Sequence, residues 1–340
     1  TMDWRKLVDL LKNHKVYIQT HNFPDPDALA SALGLQVFLK AHGVPTTLCY
    51  AGTIEKLSTK RMMEIFDFKL YNITEIPDMR AEDYIVTVDS QKYNANITDF
   101  VGNEVACIDH HPTFVQYAYK YKDVRIVGAC ATLIAQYFKE SRTQIDSNTA
   151  TALLYGMRVD TNNLSRGVTE LDIEMYAYLY HYVDEEKLTE MNRSTMELKD
   201  LQAYGAAIEN IKIYSNLGFA EIPFDCPDGL IAMVADFILN LDVVEFAVVY
   251  AVREDGLKFS VRSEIMELNA GVIVQEALQD IGSGGGHACM AGGFIPADQE
   301  EKLGHMKRYA IEQRFIRVCD RYENIVAEET IGERIESVHQ

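Results

Sequence analysis

Five short clusters hold the side chains able to do chemistry in this chain. They are His21-Asn22-Phe23-Pro24-Asp25-Pro26-Asp27, Val88-Asp89-Ser90, Asp109-His110-His111-Pro112, Val159-Asp160-Thr161 and Gly282-Ser283-Gly284-Gly285-Gly286-His287. Carboxylates and imidazoles are the donors that hard and borderline divalent cations take. The first four clusters carry enough of them to hold two such ions side by side, a device for attacking a phosphate ester. The fifth is rich in side-chain-free backbone, which can present amide N–H groups to an anion or admit a base at close range.

Each cluster also has a plainer explanation. Asp25 and Asp27, interleaved with Pro24 and Pro26, suit a stiff solvated turn in which Asp27 caps the following helix. The same spacing lets the two carboxylates diverge toward different metals. Four or five potential ligands at strand ends within one half of the chain are hard to explain as caps alone. A carboxylate lying between two ions is the natural bridge, and its central strand position selects Asp89. Asp160 ends an apolar helical run and is placed to complete the shell of the second ion. Two adjacent histidines cannot easily bind one metal from a single strand end, so one of His110 and His111 is expected to be a ligand and the other to face substrate. Arg166, shortly after Asp160, either approaches the same cleft or closes a salt bridge. A glycine run alone is most often a flexible turn.

The elements that must position these clusters follow from pattern. Strands are expected at Lys15–Thr20, Thr46–Tyr50, Tyr84–Val88, Val105–Ile108 and Val124–Val127. Helices are expected at Asp27–Ala41, Ala131–Glu140, Ser147–Met157 and Leu171–Tyr182. This alternation predicts an α/β fold whose N-terminal, mostly parallel sheet is flanked by helices. Ligands in such sheets sit beyond the carboxyl ends of the strands, where His21, Asp89 and Asp109 all fall. The polar stretch 184–210 reads as a helical linker. A smaller C-terminal α/β domain follows, with strand-like Ile211–Ile222, a helix near Leu230–Leu239, a hairpin Phe246–Val252 and Leu257–Val261, a helix near Ala270–Asp280, the glycine-rich loop, and a last helix from Asp298 to about Arg321. The expected division is therefore 1–183, a metal-binding catalytic domain; 184–210, a linker; 211–325, a substrate-binding domain; and 326–340, a fraying polar tail.

Composition narrows the function. A chain of 340 residues exceeds one ordinary core, and 48% hydrophobic with 24% charged residues is a folded-protein composition. No apolar run approaches the roughly 18 residues of a membrane span. The start, Thr1-Met2-Asp3-Trp4-Arg5-Lys6-Leu7, reads as a helix without a signal-peptide core. The six cysteines are scattered without a C-x-x-C pair, so reduced core thiols and a cytoplasmic location are expected. A net charge of −19 disfavours tracking along DNA or RNA, which requires a basic groove. It leaves room for a short anionic ligand held by metals and a few local cations. The histidines without partner motifs (His14, His42, His181, His305, His339) and the tyrosines of Tyr176–Tyr180 are read as surface or packing residues.

Taken together, His-x3-Asp-x-Asp, Val-Asp-Ser, Asp-His-His-Pro, Asp-Thr and a late Gly-Gly-Gly-His resemble the DHH phosphoesterase superfamily. The closer resemblance is to the subgroup with a DHH-associated C-terminal domain, which holds nano-RNase/pAp phosphatases and dinucleotide phosphodiesterases. It runs from about residue 15 to residue 320. The resemblance implies a manganese ion on His21, Asp25 and Asp89 and a second on Asp27, Asp89, His110 and Asp160, with Mg2+ or Co2+ as substitutes. It further implies a two-metal hydroxide mechanism in which His111 contacts the scissile phosphate and Asp109 stands behind, orienting an imidazole. Gly284, Gly285, Gly286 and His287 would bind substrate, with Arg262 facing a terminal phosphate; pairing of Arg262 with Glu264 or another carboxylate is the plain alternative. Residues 288–293, Ala-Cys-Met-Ala-Gly-Gly, depart from the proline-containing versions of this loop.

The implied activity is hydrolysis of short oligonucleotides or dinucleotides, linear such as pApA and pGpG or cyclic, to nucleoside monophosphates. The alternative is a pAp phosphatase. A RecJ-like exonuclease and a pyrophosphatase fit less well, the first for its charge and the second because it resembles only the first domain. An exopolyphosphatase stays open, and an inactive nucleotide sensor conflicts with the intact donor set. The expected partner is the small substrate, with no membrane and no long nucleic acid; a homodimer is compatible with the resemblance.

Overall fold

The computed structural model describes residues 2–54, 56–193 and 196–338, with side-chain surroundings up to residue 325. Two compact units divide the chain, residues 1–195 and 196–340.

Unit 1 runs α1 (Trp4–Leu11), β1 (Val16–Gln19), α2 (Pro26–Ala41), β2 (Thr46–Tyr50), α3 (Leu57–Ile65), β3 (Tyr71–Asn72), β4 (Tyr84–Val88), β5 (Asn103–Asp109), β6 (Tyr121–Val124), α4 (Cys130–Ser141), α5 (Ser147–Asp160), α6 (Glu170–Tyr180) and α7 (Glu185–Asn192). Its sheet has the order β3-β2-β1-β4-β5-β6, and every pairing is parallel. β1 is buried at every position, and β4 and β5 at every position after the first. That pattern belongs to strands covered on both faces, which is why they read as continuous apolar runs. The order reverses between β1 and β4, so their carboxyl ends border the crevice where such sheets bind ligands.

Two helices of this unit come unusually close. A Cβ on Gly34 would lie 2.9 Å from Leu153 Cδ2, and one on Gly156 would lie 2.8 Å from Ala30 Cβ and 3.3 Å from Asp27 Cα. Only glycine allows α5 to seat directly on α2 at this point. The contact sets the start of α2 beside the last turns of α5.

Unit 2 runs α8 (Leu198–Asn210), β7 (Lys212–Tyr214), β8 (Leu217–Ile222), α9 (Asp228–Leu239), β9 (Phe246–Val252), β10 (Gly256–Ser263), α10 (Ala270–Ala277), β11 (Ser283–Gly286), β12 (Met290–Pro296), a 3-10 turn (Ala297–Leu303) and α11 (Lys307–Val338). The sheet order is β11-β12-β10-β9-β8-β7, parallel only between β8 and β9. Phe246, Val248 and Tyr250 of β9 join one core with α10 and α11. Ala247, Val249 and Ala251 join another with α8 and α9. This period-2 split is the pleat covered on both sides.

The stretch 184–210 is a pair of helices, α7 in unit 1 and α8 in unit 2. The last expected helix is interrupted at Gly304 (φ 75°), and α11 continues through Val338 instead of fraying after residue 325. Its first expected part is the 3-10 turn. The glycine run expected as a loop is the edge strand β11. Its bare backbone lets α10 pack against it: a Cβ on Gly271 would meet the Gly286 carbonyl oxygen at 2.4 Å.

Candidate metal centre

Strand ends bring the first donors together. His21 follows β1, Asp89 follows β4, and Asp109 closes β5 ahead of His110 and His111. Asp25, not Asp27, caps α2, accepting the Ala28 N–H at 2.9 Å. Asp27 lies in the first turn, points inward and is 0% exposed. Its two oxygens accept the Cys130 and Ala131 N–H groups, 2.9 Å each, at the amino end of α4. Those helix-end donors offset part of the burial of a carboxylate. The solvated-cap reading of Asp27 fails because Asp25 takes the cap and Asp27 is buried against the start of α4.

Both imidazoles are aimed by main-chain carbonyls. Nδ1 of His21 lies 2.8 Å from the Asn22 oxygen and Nδ1 of His110 lies 2.9 Å from the Val127 oxygen. Each Nδ1 therefore carries the proton and donates, leaving Nε2 toward the carboxylates. His21 Nε2 stands 3.8 Å from Asp25 Oδ2 and 3.5 Å from Asp89 Oδ2. His110 Nε2 stands 3.5 Å from Asp27 Oδ2, 3.1 Å from Asp89 Oδ1 and 3.3 Å from Asp160 Oδ2. The two oxygens of Asp89 thus face different imidazoles.

Three overlapping donor groups result, each with its ligand atoms within 4.8 Å of one another: His21, Asp25 and Asp89; Asp27, His110 and Asp160; and Asp89, Asp109, His110 and His111. Asp89 is 2% exposed and holds a left-handed backbone, φ 58°. Its Oδ1 and the His110 Nε2 are buried without a hydrogen-bond partner. Orphaned buried polar atoms are costly, and four carboxylates around two imidazoles repel one another. A pair of divalent cations fits this donor set and would relieve both costs.

The protonation pattern records the same crowding. Burial alone would lower His21, but Asp25 and Asp89 outweigh it and raise the ring to about 11. For His110, burial is likewise outweighed by Asp89, Asp27 and Asp160, again to about 11. Burial, then Asp25 and Asp89, pushes Asp160 up to about 7. Asp27 is raised well above its usual value by burial and by Asp89 and Asp160. Asp89 is held low: its burial is overcome by the two imidazoles. Asp160 also ends α5, where the helix dipole disfavours a carboxylate.

His111 is half-exposed, and its Nδ1 lies 2.7 Å from Asp109 Oδ1. The hydrogen bond it donates to Asp109 raises the His111 ring above its ordinary value despite burial. Asp109 is fully buried and receives the Gln91 side-chain N–H at 2.8 Å; the same Gln91 nitrogen donates to the His111 carbonyl at 3.1 Å. Gln91 was not singled out from sequence, although a polar residue two places after Asp89 stood in plain view. Arg166 Nη2 donates to the Asp160 carbonyl at 3.3 Å, beside this group. Asp172 also went unmarked: it accepts the Gly128 N–H at 2.8 Å and the Thr169 N–H at 2.8 Å. It thereby pins the loop whose Val127 carbonyl aims His110.

In unit 2, Arg262 is 8% exposed, with Nε donating to Asp236 Oδ1 at 2.8 Å and Nη1 to the Val261 carbonyl at 3.0 Å. Its carboxylate partner is Asp236 rather than Glu264. Gly284, Gly285 and Gly286 pair with Gly293, Gly292 and Ala291, and the His287 N–H closes a turn onto the Met290 carbonyl at 2.7 Å. Gly286 has φ 147°, and a Cβ there would lie 2.6 Å from the Met290 oxygen. Cys289 on this turn is exposed, whereas the other five cysteines are buried and all six are free. His42 bonds Thr143 and packs on Trp4 and Phe38, and His14 stacks on Tyr84. His339 lies outside the described residues. Among the described residues no helix is long and apolar enough to cross a membrane.

Comparison with known proteins agrees on family. The DHH family N-terminal domain matches residues 15–157 and the DHHA1 domain matches residues 213–313. An uncharacterised protein of Methanocaldococcus jannaschii, MJ1633, is 29% identical over 315 residues, covering 90% of this chain and 64% of its own length. The cyclic-di-AMP phosphodiesterase GdpP of Bacillus subtilis is 24% identical over 335 residues, covering 89% of this chain and 48% of its own. The chain thus spans under two thirds of each of these two relatives. The crystal structure of an exopolyphosphatase-related protein from Bacteroides fragilis superposes with a TM-score of 0.76 at 19% identity, over 95% of this chain and 96% of that one. With both domain models matched in order, one in each unit, the chain belongs to the DHH family, in the branch that carries a DHHA1 domain.

Proposed function

We propose that the protein is a manganese-dependent phosphodiesterase that hydrolyses short oligonucleotides or dinucleotides to nucleoside monophosphates. The observation that carries this reading is Asp89, whose two buried oxygens face His21 and His110 separately. One carboxylate serving two donor groups is the arrangement of a two-ion phosphoesterase site. In this reading His21, Asp25 and Asp89 hold one ion, and Asp27, Asp89, His110 and Asp160 hold the other. When bound, the ions would supply Lewis acidity toward phosphate oxygens and make water acidic enough to attack at neutral pH.

The chain's own residues do the rest. Asp109, braced by Gln91, orients His111 by accepting from its Nδ1 and favours the imidazolium form, whose Nε2–H can serve the leaving oxygen. Main-chain carbonyls fix the ligand rings, which removes reorganisation during reaction. Unit 2 is assigned substrate binding, with the Asp236-braced Arg262 guanidinium suited to a phosphate and β11 with His287 suited to a nucleoside. A GdpP relative that acts on a cyclic dinucleotide supports this substrate size, and so does the net charge of −19, which disfavours polymers.

The test is a product-resolved assay with manganese against pApA, pGpG, cyclic di-AMP, cyclic di-GMP, pAp and a short RNA ladder. Nucleoside monophosphates from the dinucleotides, with little processing of the longer RNAs, are expected. Turnover of pAp alone would replace the reading by a phosphomonoesterase.

A further inference from the structure

One residue inside the first cluster does nothing for the donor groups, yet is held in a costly conformation beside them. Phe23 sits midway between His21 and Asp25, and 62% of its surface is exposed. Its φ is 56°, in the left-handed region that a bulky side chain rarely enters. It also precedes Pro24, which restricts its backbone further. The residue before it is pinned to the loop after β4. The Asn22 N–H donates to the Asn96 carbonyl at 2.7 Å, and the Asn22 side chain donates to Thr98 Oγ1 at 3.0 Å. Beyond the ring, a Cβ on Gly52 would come within 3.7 Å of Phe23 Cε1.

Strained backbone that presents an exposed ring next to a reactive site points to use of the ring. We propose that Phe23 is a base-stacking residue, the platform for the nucleobase attached through its ribose to the phosphate at the metal centre. This inference rests on the nucleotide reading above and deepens it. A polyphosphate has no group that gains from an apolar ring at that place, whereas every nucleobase has a flat face to lay on it. Stacking of this kind tolerates any base, so the platform selects nucleotides over inorganic phosphates without choosing among nucleotides.

Tyr93 provides a comparison within the same unit. It too is left-handed and exposed, with φ 72°, but its ring meets Tyr117 edge-on at 5.8 Å and lies 5.1 Å from Lys92 Nζ. Its surroundings are already provided by the fold.

Calorimetric binding of AMP and of ribose 5-phosphate to the manganese-loaded full chain tests the assignment. The wild type should bind AMP about ten- to a hundredfold more tightly. Phe23→Ala should bring the two affinities within about threefold, with ribose 5-phosphate binding and metal content unchanged. Phe23→Trp should keep the preference, and so should Tyr93→Ala. A preference that survives Phe23→Ala overturns the proposal, as does an equal loss for both ligands. If Phe23→Ala abolishes the AMP preference of a protein that hydrolyses no dinucleotide, the platform stands and the phosphodiesterase reading falls. If dinucleotides turn over and Phe23→Ala leaves the AMP preference intact, only the platform falls.

Discussion

Asp89 concentrates three demands on one side chain: burial, a left-handed backbone and an oxygen for each donor group. Asparagine tolerates that backbone but replaces two anionic oxygens by one neutral one, while alanine removes both. Asp89→Ala is expected to lower turnover by roughly a thousandfold or more and to release both ions, measured as metal content of the purified protein. Asp89→Asn should fold as well as the wild type yet retain less metal. Near-normal turnover of Asp89→Ala would remove the bridge assignment.

The protonation of this crowd sets a pH dependence whose sign is opposite with and without metal. Asp160, raised from its ordinary 3.8 to about 7, contributes stability that is complete below pH 4 and is lost as pH rises through 7. His21 and His110, raised from 6.5 to about 11, contribute stability that is complete below 6.5 and is lost toward pH 11. The metal-free protein should therefore lose stability between pH 6 and pH 8. Cations displace those same protons, so binding tightens as pH rises. The rise in Tm on adding manganese should accordingly be larger at pH 8 than at pH 6, by scanning fluorimetry. An equal or smaller rise at pH 8 would contradict the donor assignment.

At the scale of elements, the site depends on how closely α5 seats on α2. Gly156→Ala puts a methyl group 2.8 Å from Ala30 Cβ and 3.2 Å from the Pro26 oxygen. The expected cost is about 1–3 kcal/mol in urea unfolding, with weaker metal retention because Asp27 and Asp160 are moved apart. Unchanged metal content in a destabilised variant would show that the seat serves packing alone. This is also where sequence reading reached its limits. The strand-end donors were legible because each motif is local and each long strand is an apolar run. α3 and the two-residue β3 were missed because α3 fully buries only Thr59 and Met62 and β3 buries neither of its residues. β6 was placed three residues late, at Val124–Val127, because its buried Asp123 looks like a loop residue. Only the fold reveals its partners: Arg125 Nε donates to it at 2.7 Å and the Tyr137 hydroxyl at 2.9 Å. β11 was read as a loop because nothing local announces that Gly271 approaches its backbone.

At the scale of the molecule, the two units are assigned different tasks, and variants should separate them. Arg262→Ala and His287→Ala are expected to raise KM about ten- to a hundredfold while leaving metal content and unit 1 unchanged. Loss of manganese from either variant would defeat that division. What the linear sequence did not supply for unit 2 is the bracing of Arg262 by Asp236, since the two are joined only by the way α9 covers the sheet.

The spread of donors along the chain has a consequence in time. During synthesis the group of His21, Asp25 and Asp89 is present once β4 has emerged, whereas the group of Asp27, His110 and Asp160 waits for the end of α5. The loop that aims His110 is pinned only by Asp172, in the helix after that. A nascent chain thus offers its first ion a partial seat and its second none until unit 1 is nearly complete. Whichever cation is abundant at the ribosome can sample the early seat, but only a finished unit can commit to a pair.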